Sequence, residues 1–483
     1  MAVVIGVAAH AATPQTSGSP VVRPLDEVYK PQAEKLIAAA LEDQEGYANL
    51  TYLCDHIGKR LSGSEPLGRA VTWSAELMRR QGFENVTVQK VMVPHWVRGK
   101  ESGAIVAPVS KPLHLLGLGM SVGTAPAGIE AEVVVVKDFD ELTQLGRPQV
   151  AGKIVVFDAP YEGYGKTVMY RVNGASRAAA LGAVAVLVRS ITPLAVQLPH
   201  TGTVNYDPGV AKIPAAAISL EDAMMLARLT VEGHPVRVHL ALEARTEPDA
   251  ESGNVMGDLV GSERPDEIVV LGGHLDSWDV GQGAQDDGSG IMTTLEAVHL
   301  IHKLGLRPKR TIRIVFWVNE ENGGAGGKAY RKALGDKVAS QVAAIEMDGG
   351  AEAPIGFGYG AVGNRRATPG VPVAEPEFSP AEAHSVELLK QIALLLEPIG
   401  ASTIRPGGGG SDIEPLIAAG VPGLGELTTA AHYFDWHHTE ADTLDKVDPA
   451  EFQKNIASVA VMTFVLADMP EKLVGHTMTE GQE

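Results

Sequence analysis

The chain has 483 residues, which is enough for more than one domain. Hydrophobic residues make up 45% of it, so the chain can form a large buried core. Its formal charge is −19, from 59 acidic and 40 basic residues. The sequence shows no basic patch or stripe, which argues against a nucleic acid as a partner. No run reaches the roughly 18 uncharged apolar residues that a membrane span requires, so we expect a globular protein without one.

The first residues suggest export, to the periplasm or the outside of the cell. Ala2–Ala12 is apolar and ends in Ala9-His10-Ala11, which resembles the small-residue cleavage site of a secretory signal. A basic start is missing, since the first basic side chain other than histidine is Arg23, and a cytosolic tail is the alternative. The single cysteine, Cys54, excludes an intrachain disulfide, and its helical surroundings favour a buried apolar role over a nucleophilic one.

The folded part opens with helical patterns. Apolar residues recur at spacings of three and four from Pro31 to Leu41, and a second helical run covers Leu67–Gln81. Asn85–Val93 then alternates like a strand. We assign residues 1–24 to a signal or flexible N-terminus and residues 25–128 to the first part of a larger domain.

Residues 129–245 differ from the helical segments before them, because short apolar runs of strand length dominate. We predict a small inserted α/β domain here. Three apolar runs of strand length occur, Val133–Val136, Ile154–Phe157 and Val184–Val188, with a helix at Gly174–Leu181 between the last two. A capping signal, Ser219 followed by Asp222, opens a further helix.

The larger domain resumes at residue 246 and continues to residue 470, which leaves residues 471–483 as a tail. Strands are predicted at Ile268–Leu271, Thr311–Val318 and Val342–Met347, with a helix at Ile291–Leu304 after the first of them. This alternation predicts a three-layer α/β/α domain with a mostly parallel central sheet. The stretch Gly349–Pro380 is too long for a mere connection, so we expect it to border the site.

Acidic and histidine residues follow the predicted strands, where open α/β sheets bind their ligands. They are His274, Asp276, Asp286, Asp287, Glu320, Glu321 and Asp348, with His437 and His438 further along the chain. Taken singly, each is more often a turn, loop or hydrogen-bonded structural residue. Together, so many carboxylates at one sheet edge would repel each other unless cations neutralise them, and two histidines among them suit zinc.

Residues 272–287, which read GGHLDSWDVGQGAQDD, resemble the bizinc family of aminopeptidases and carboxypeptidases. Further matching stretches are Leu306–Thr311, Pro199–Gly202 and Lys212–Pro214. The likeness extends from about Pro31 to about Pro470 and is more specific than a short motif. The inserted block is similar to the protease-associated domain found in one subgroup of that family.

The resemblance implies two Zn²⁺ ions per chain. His274 and Asp348 would hold one ion, Glu321 and His438 the other, and Asp286 would bridge both. His437 is the alternative to His438, which is preferred because the family has its ligand directly before a Thr or Ser.

Three further acidic residues receive roles from the resemblance. Glu320 would be the general base. Asp276 would accept a hydrogen bond from the far ring nitrogen of His274 and fix its tautomer, and Asp442 would orient His438 in the same way.

The implied activity is hydrolysis of dipeptides or short peptides by a metal-bridging hydroxide, with Glu320 passing the proton to the leaving amine. The subgroup implies release of the C-terminal residue and a homodimer. An aminopeptidase is the close alternative; a non-catalytic binding protein of the same fold and a single-zinc transferase of the glutaminyl cyclase type are the others. The run Gly407–Asp412 would line the pocket or form a plain flexible loop.

Overall fold

The computed structural model describes residues 23–360 and 378–475. The predicted signal segment Ala2–Ala12, residues 361–377 of the expected border loop and most of the tail lie outside the described residues. Within the described ranges, no helix combines the length and the apolar character that crossing a membrane would need.

The secondary structure alternates between strands and helices along most of the chain. The strands are β1 (Glu84–Val97), β2 (Glu101–Ala107), β3 (Lys111–Pro112), β4 (Leu115–Gly117), β5 (Ile129–Val136), β6 (Ile154–Phe157), β7 (Ala185–Arg189), β8 (Ala215–Ile218), β9 (Arg237–Leu242), β10 (Arg245–Leu259), β11 (Arg264–His274), β12 (Arg310–Trp317), β13 (Gln341–Glu346), β14 (Pro354–Tyr359), β15 (Thr403–Pro406) and β16 (Gly423–Thr428). The helices are α1 (Leu25–Leu41), α2 (Glu45–Tyr52), α3 (Glu65–Arg80), α4 (Phe139–Val150), α5 (Tyr164–Ala180), α6 (Leu220–Val231), α7 (Ser289–Lys303), α8 (Ala325–Leu334), α9 (Pro380–Leu394), α10 (Glu414–Ile417), α11 (Tyr433–Trp436) and α12 (Pro449–Asp468).

The larger sheet has eight strands in the order β1-β10-β12-β11-β13-β16-β14-β15. Its centre, from β12 to β16, is parallel. On one side β10 pairs antiparallel with β12 and β1 with β10, and on the other side β14 pairs antiparallel with β16 and parallel with the edge strand β15. The mostly parallel sheet that the sequence predicts is therefore parallel in the middle, with antiparallel pairs on both sides.

Side chains of the central strands alternate between two buried layers. On one face, Val269 and Leu271 join the core formed with α1, α7 and α12. On the other face, Val270 packs with Tyr330 of α8 and Leu416 of α10. Helices thus cover both faces, which is the three-layer arrangement expected for near-continuous apolar strands.

A second sheet of eight strands has the order β3-β2-β9-β5-β6-β7-β8-β4. Helix α6 packs on one face and helices α4 and α5 pack on the other. Ser219 caps α6, since its hydroxyl accepts from the Asp222 amide at 3.2 Å. Strands β2, β3 and β4 precede residue 129 but belong to this sheet. Strand β2 pairs antiparallel with β9 and with β3, and β4 pairs antiparallel with β8. We call residues 101–242 the inserted unit.

Cys54 lies in a π-helical turn, Leu53–Ile57, and is 2% exposed. Burial raises the pKa of its thiol to about 12, so it is not a nucleophile at neutral pH.

Candidate metal centre

Three neighbouring parallel strands deliver the predicted ligands to one edge of the larger sheet. His274 ends β11, Glu320 and Glu321 follow β12, and Asp348 follows β13. In the register of the sheet, His274 is opposite Trp317, and Gly272 is opposite Glu346. The carboxyl ends of the three strands therefore meet, as the sequence pattern predicts.

Asp286 lies in the middle of the cluster. Its Oδ1 is 3.2 Å from Nε2 of His274, and its Oδ2 is 3.2 Å from Nε2 of His438. On one side, His274 Nε2 is 3.4 Å from Oδ1 of Asp348. On the other side, His438 Nε2 is 3.1 Å from Oε2 of Glu321. The structure thus brings together all five residues that the resemblance assigns to metal binding.

The loop that carries Asp286 is held by Asp442. The Asp442 carboxylate accepts from the main-chain amides of Ala284, Gln285 and Asp286, at 3.1, 2.7 and 3.2 Å. The prediction that Asp442 orients His438 is therefore wrong: its oxygens are already engaged by this turn, and His438 has another partner.

That partner is the main-chain carbonyl of Thr201, which accepts from Nδ1–H of His438 at 3.2 Å. Asp276 acts on His274 in a similar way. Its carbonyl oxygen, not its carboxylate, is 2.9 Å from Nδ1 of His274, so the predicted contact exists but comes from the main chain. Because a carbonyl only accepts, both imidazoles carry a proton on Nδ1, and this contact leaves Nε2 of each ring facing Asp286.

The carboxylate of Asp276 instead holds the segment that contains the expected base. It accepts from the Glu320 amide at 3.2 Å and from the Ser62 hydroxyl at 3.2 Å. Asn319, directly before Glu320, has a left-handed backbone with φ 69°, which asparagine tolerates, and its side chain accepts from the Ala325 amide at 3.1 Å. Glu320 is thereby held through its main-chain amide and through the preceding residue, Asn319.

His437 stacks on His438 with ring centroids 3.6 Å apart, and its Nε2 is 3.4 Å from Oδ2 of Asp286. Only His438 also reaches Glu321. Burial, reinforced by His438, lowers the pKa of His437 well below its usual value, so His437 is neutral beside the cluster. The geometry favours His438 as the ligand, in agreement with what the family resemblance implies.

The cluster carries more negative charge than its surroundings can stabilise. Burial, joined by repulsion from Asp286, raises the pKa of Asp348 to about 6 and that of Glu321 to about 8. Burial opposes protonation of His274, but the carboxylates of Asp348 and Asp286 outweigh it and raise the pKa of His274 well above its usual value. A divalent cation would supply the missing positive charge.

Two atoms aimed into the cluster have no hydrogen-bond partner among the described residues. They are Nε2 of His274 and Oδ2 of Asp286, both buried. Unpaired buried polar atoms of this kind are costly unless an ion or water satisfies them. Imidazole nitrogens and carboxylate oxygens together are the donor set that zinc prefers, so the residues present fit the expected metal.

The comparisons with known proteins agree with this chemistry. Residues 254–463 match the model of Peptidase family M28. Carboxypeptidase Q of Mus musculus is 41% identical over 427 residues, which cover 88% of this chain and 86% of that protein. The chain belongs to peptidase family M28. Membership confirms the family resemblance and the metallo-exopeptidase class of hydrolase that it implied.

Two further relatives extend the comparison of this M28 peptidase. Carboxypeptidase Q of Xenopus laevis is 40% identical over 448 residues, 92% of this chain and 91% of that protein. The crystal structure of a peptidase M28 precursor from Shewanella amazonensis superposes with a TM-score of 0.86 at 32% identity and covers 94% of this chain and all of that one. A zinc aminopeptidase from Bacillus subtilis, at 20% identity and a TM-score of 0.64, shares the fold.

Sequence reasoning missed several residues that build this M28 site. Arg60 is fully buried and donates to the carbonyls of Leu275, Gln282 and Gly283 at 2.8, 2.8 and 3.1 Å, so it holds the loop between His274 and Asp286. An arginine between two helical patterns gave no signal of this role, because its partners are more than 200 residues away.

Glu346 and Asp412 form a second, deeper layer of buried carboxylates behind the site. Burial, with repulsion from Asp348, raises the pKa of Glu346 to about 8. The glycine run before Asp412 packs directly on this layer: a side chain at Gly410 would lie 2.0 Å from Oε1 of Glu346. At Gly410, therefore, the run is packed against Glu346, which argues against a plain flexible loop at this position.

Proposed function

We propose that this M28 peptidase is a zinc-dependent exopeptidase with two metal positions that share Asp286. The observation that carries the proposal is the placement of the two Asp286 oxygens, each 3.2 Å from Nε2 of a different histidine. One position consists of His274 and Asp348, and the other of Glu321 and His438. Each position has one nitrogen and one carboxylate of its own, which suits zinc better than magnesium or calcium.

The chain's own residues prepare the reaction around that pair. When bound, two zinc ions polarise the scissile carbonyl and lower the pKa of a water molecule. Glu320 takes a proton from the attacking water and returns it to the leaving amine. Asp276 serves this step indirectly, because its carboxylate fixes the Glu320 main chain. Burial of the cluster excludes bulk water and strengthens each of these interactions.

The preferred substrate is a dipeptide or another short peptide that loses its C-terminal residue. Support comes from the relatives named carboxypeptidase Q, which match 86% or more of their length at about 40% identity. The zinc aminopeptidase of Bacillus subtilis shares only the fold and carries no weight on direction of cleavage.

The inserted unit has the position and the mixed sheet expected of a protease-associated domain, and we assign it to that type with boundaries at residues 101 and 242. Export and a homodimer stay predictions that no described residue tests.

A panel of free, N-blocked and C-blocked dipeptides, read by mass spectrometry, tests the activity. We expect cleavage of free and N-blocked dipeptides, loss of turnover after chelation and its return with Zn²⁺. Cleavage of C-blocked but not N-blocked substrates would assign an aminopeptidase instead. Unchanged turnover after complete removal of metal would contradict the metal mechanism.

A further inference from the structure

The inserted unit and the larger domain meet beside the Glu321–His438 half of the centre. Apolar side chains of both parts pack there, among them Trp96, Trp278 and Leu116. Gly119 of the inserted unit approaches Trp278 so closely that a side chain at that position would lie 2.1 Å from the indole ring. The main-chain amide of Trp278 in turn donates to Oε1 of Glu321 at 3.1 Å. The seam between the two parts is thus continuous with the metal centre.

Thr201 of the inserted unit contacts His438 at two points. Its amide donates to the His438 carbonyl at 3.0 Å, and its carbonyl accepts from Nδ1–H of the imidazole at 3.2 Å. The Thr201 hydroxyl donates to the Gly117 carbonyl at 2.8 Å, which fixes Thr201 within the inserted unit. The ring orientation of His438 is therefore set by another part of the fold.

Arg171 of α5 completes this contact. It is 6% exposed, and its Nη1 donates to the Thr201 carbonyl at 3.1 Å and lies 3.4 Å from Nδ1 of His438. A guanidinium has only donors and cannot accept from Nδ1–H, so both groups converge on the Thr201 carbonyl. Gly202 permits the approach, since a side chain there would lie 2.2 Å from Cζ of Arg171.

Thr203 contacts the other ligand of the same half. Its hydroxyl donates to the main-chain carbonyl of Glu321 at 2.8 Å. The His274–Asp348 half differs: His274 is held by the Asp276 carbonyl and, through its amide, by Asp287 at 3.0 Å, both from the larger domain. Among residues 23–360 and 378–475, no hydrogen bond joins the inserted unit to His274 or Asp348.

We propose that Arg171, Thr201 and Thr203 are positioning residues for one half of the metal centre, so that the ion at Glu321 and His438 binds tightly only while the inserted unit is docked. This inference rests on the two-metal function proposed above. Contacts that orient a ligand typically change metal affinity about 10–100-fold when they are removed. Because linkage is reciprocal, binding of that ion also stabilises the docked unit.

Two variants test the proposal, Thr203→Val, which removes one hydroxyl at constant shape, and Arg171→Met, which removes the guanidinium. Matched controls within the inserted unit are Thr230→Val, which loses a hydroxyl contact to the Leu226 carbonyl, and Arg237→Met, which loses an exposed ion pair with Glu130. Metal-free proteins are titrated with Zn²⁺ in a calorimeter. The crystal structure of each variant, grown with one equivalent of zinc, locates the retained ion by anomalous scattering.

We expect one of the two dissociation constants to rise about 10–100-fold in both variants while the other changes less than about threefold, with the retained ion at His274 and Asp348. The controls should bind both ions as the wild type does. Equal weakening of both ions, or no weakening in Thr203→Val, overturns the proposal, and Thr203→Val decides alone if Arg171→Met fails to fold. A wild type that binds fewer than two ions refutes the proposed two-metal function itself, so the two failures are distinguishable.

Discussion

The two halves of the candidate metal centre have matching donors but different supports. His274 and Asp348 stand at the ends of adjacent parallel strands, where the sheet fixes their main chain. Glu321 and His438 lie in loops, and the inserted unit contacts both of them through Thr203 and Thr201. The first half is supported by the larger domain alone, whereas the second half depends on two parts of the chain packing together. Asp286 contributes to both halves. Variants at Asp286 should therefore affect both metal positions, whereas variants at residues that contact one half alone should affect one.

Replacement of the shared carboxylate should have the largest effect. Asp286→Ala removes a ligand from both positions, and we expect turnover to fall below detection and neither ion to bind with its original affinity. Mass spectrometric metal analysis of the dialysed protein measures this directly. The exposed Asp249→Ala is the matched control and should keep both ions. Two zinc ions retained in Asp286→Ala would show that the halves do not share this residue.

Glu320→Gln should leave both metal positions intact and remove the proton transfer that hydrolysis requires. The isosteric amide cannot take a proton, so kcat should fall roughly 10²–10⁴-fold while zinc content and thermal stability stay unchanged. Steady-state kinetics on a dipeptide measures the loss, and Glu251→Gln, which alters an exposed ion pair with Lys90, should behave as wild type. Activity within threefold of wild type would remove Glu320 from its role as the base.

Asp442→Asn should weaken both halves together, in contrast to the one-sided effect expected for Thr203→Val. An amide can present only one oxygen to the three main-chain donors that position Asp286. We expect the affinity for each ion to fall about 10-fold, measured by calorimetry. The neighbouring exposed residue supplies the control, Asp445→Asn. A loss confined to one ion would mean that Asp442 supports only one half.

The pH dependence of the metal-free protein should be a smaller effect. Asp348, Asp442 and Glu321 have pKa values raised to about 6, 7 and 8, against about 4 for carboxyls in unfolded chains. Between those values the folded state binds more protons than the unfolded state, so its stability falls as pH rises from about 4 to 8. We expect Tm of the chelated protein to decrease over that range and the gain in Tm on adding zinc to widen. A chelated protein whose Tm rises steadily to pH 8 would contradict this account of the buried charge.

Much of the His274–Asp348 half of the centre could be predicted from the sequence, because it depends on local patterns. The apolar strands ending at His274 and Glu346 are local patterns, and parallel pairing brings their ends to one edge without further information. Strands β11, β12 and β13, helices α1, α3, α6 and α7, and the convergence of His274, Glu320, Glu321 and Asp348 all follow from such patterns. Strand β16 was not predicted. The assignment of Asp286 and His438 came from the family resemblance and not from periodicity.

The supports of the ligands could not be predicted, because they depend on main-chain atoms and distant residues. The Asp276 carbonyl replaces the expected carboxylate at His274, a distinction that no residue type encodes. Asp442 acts on a turn 156–158 residues away instead of on the nearby His438. Strand β2 lies before the predicted start of the insert at residue 129 and pairs with β9, which is 130 or more residues further on. Such long-range pairing leaves no local signature in the sequence.

The most direct test of the two-metal centre is anomalous scattering at the zinc edge from crystals of the zinc-loaded wild type. We expect two peaks per chain, about 3.5–4 Å apart. One peak should be bound by His274 and Asp348, the other by Glu321 and His438, with an Asp286 oxygen on each. A single peak in fully loaded crystals, or two peaks away from Asp286, would contradict it.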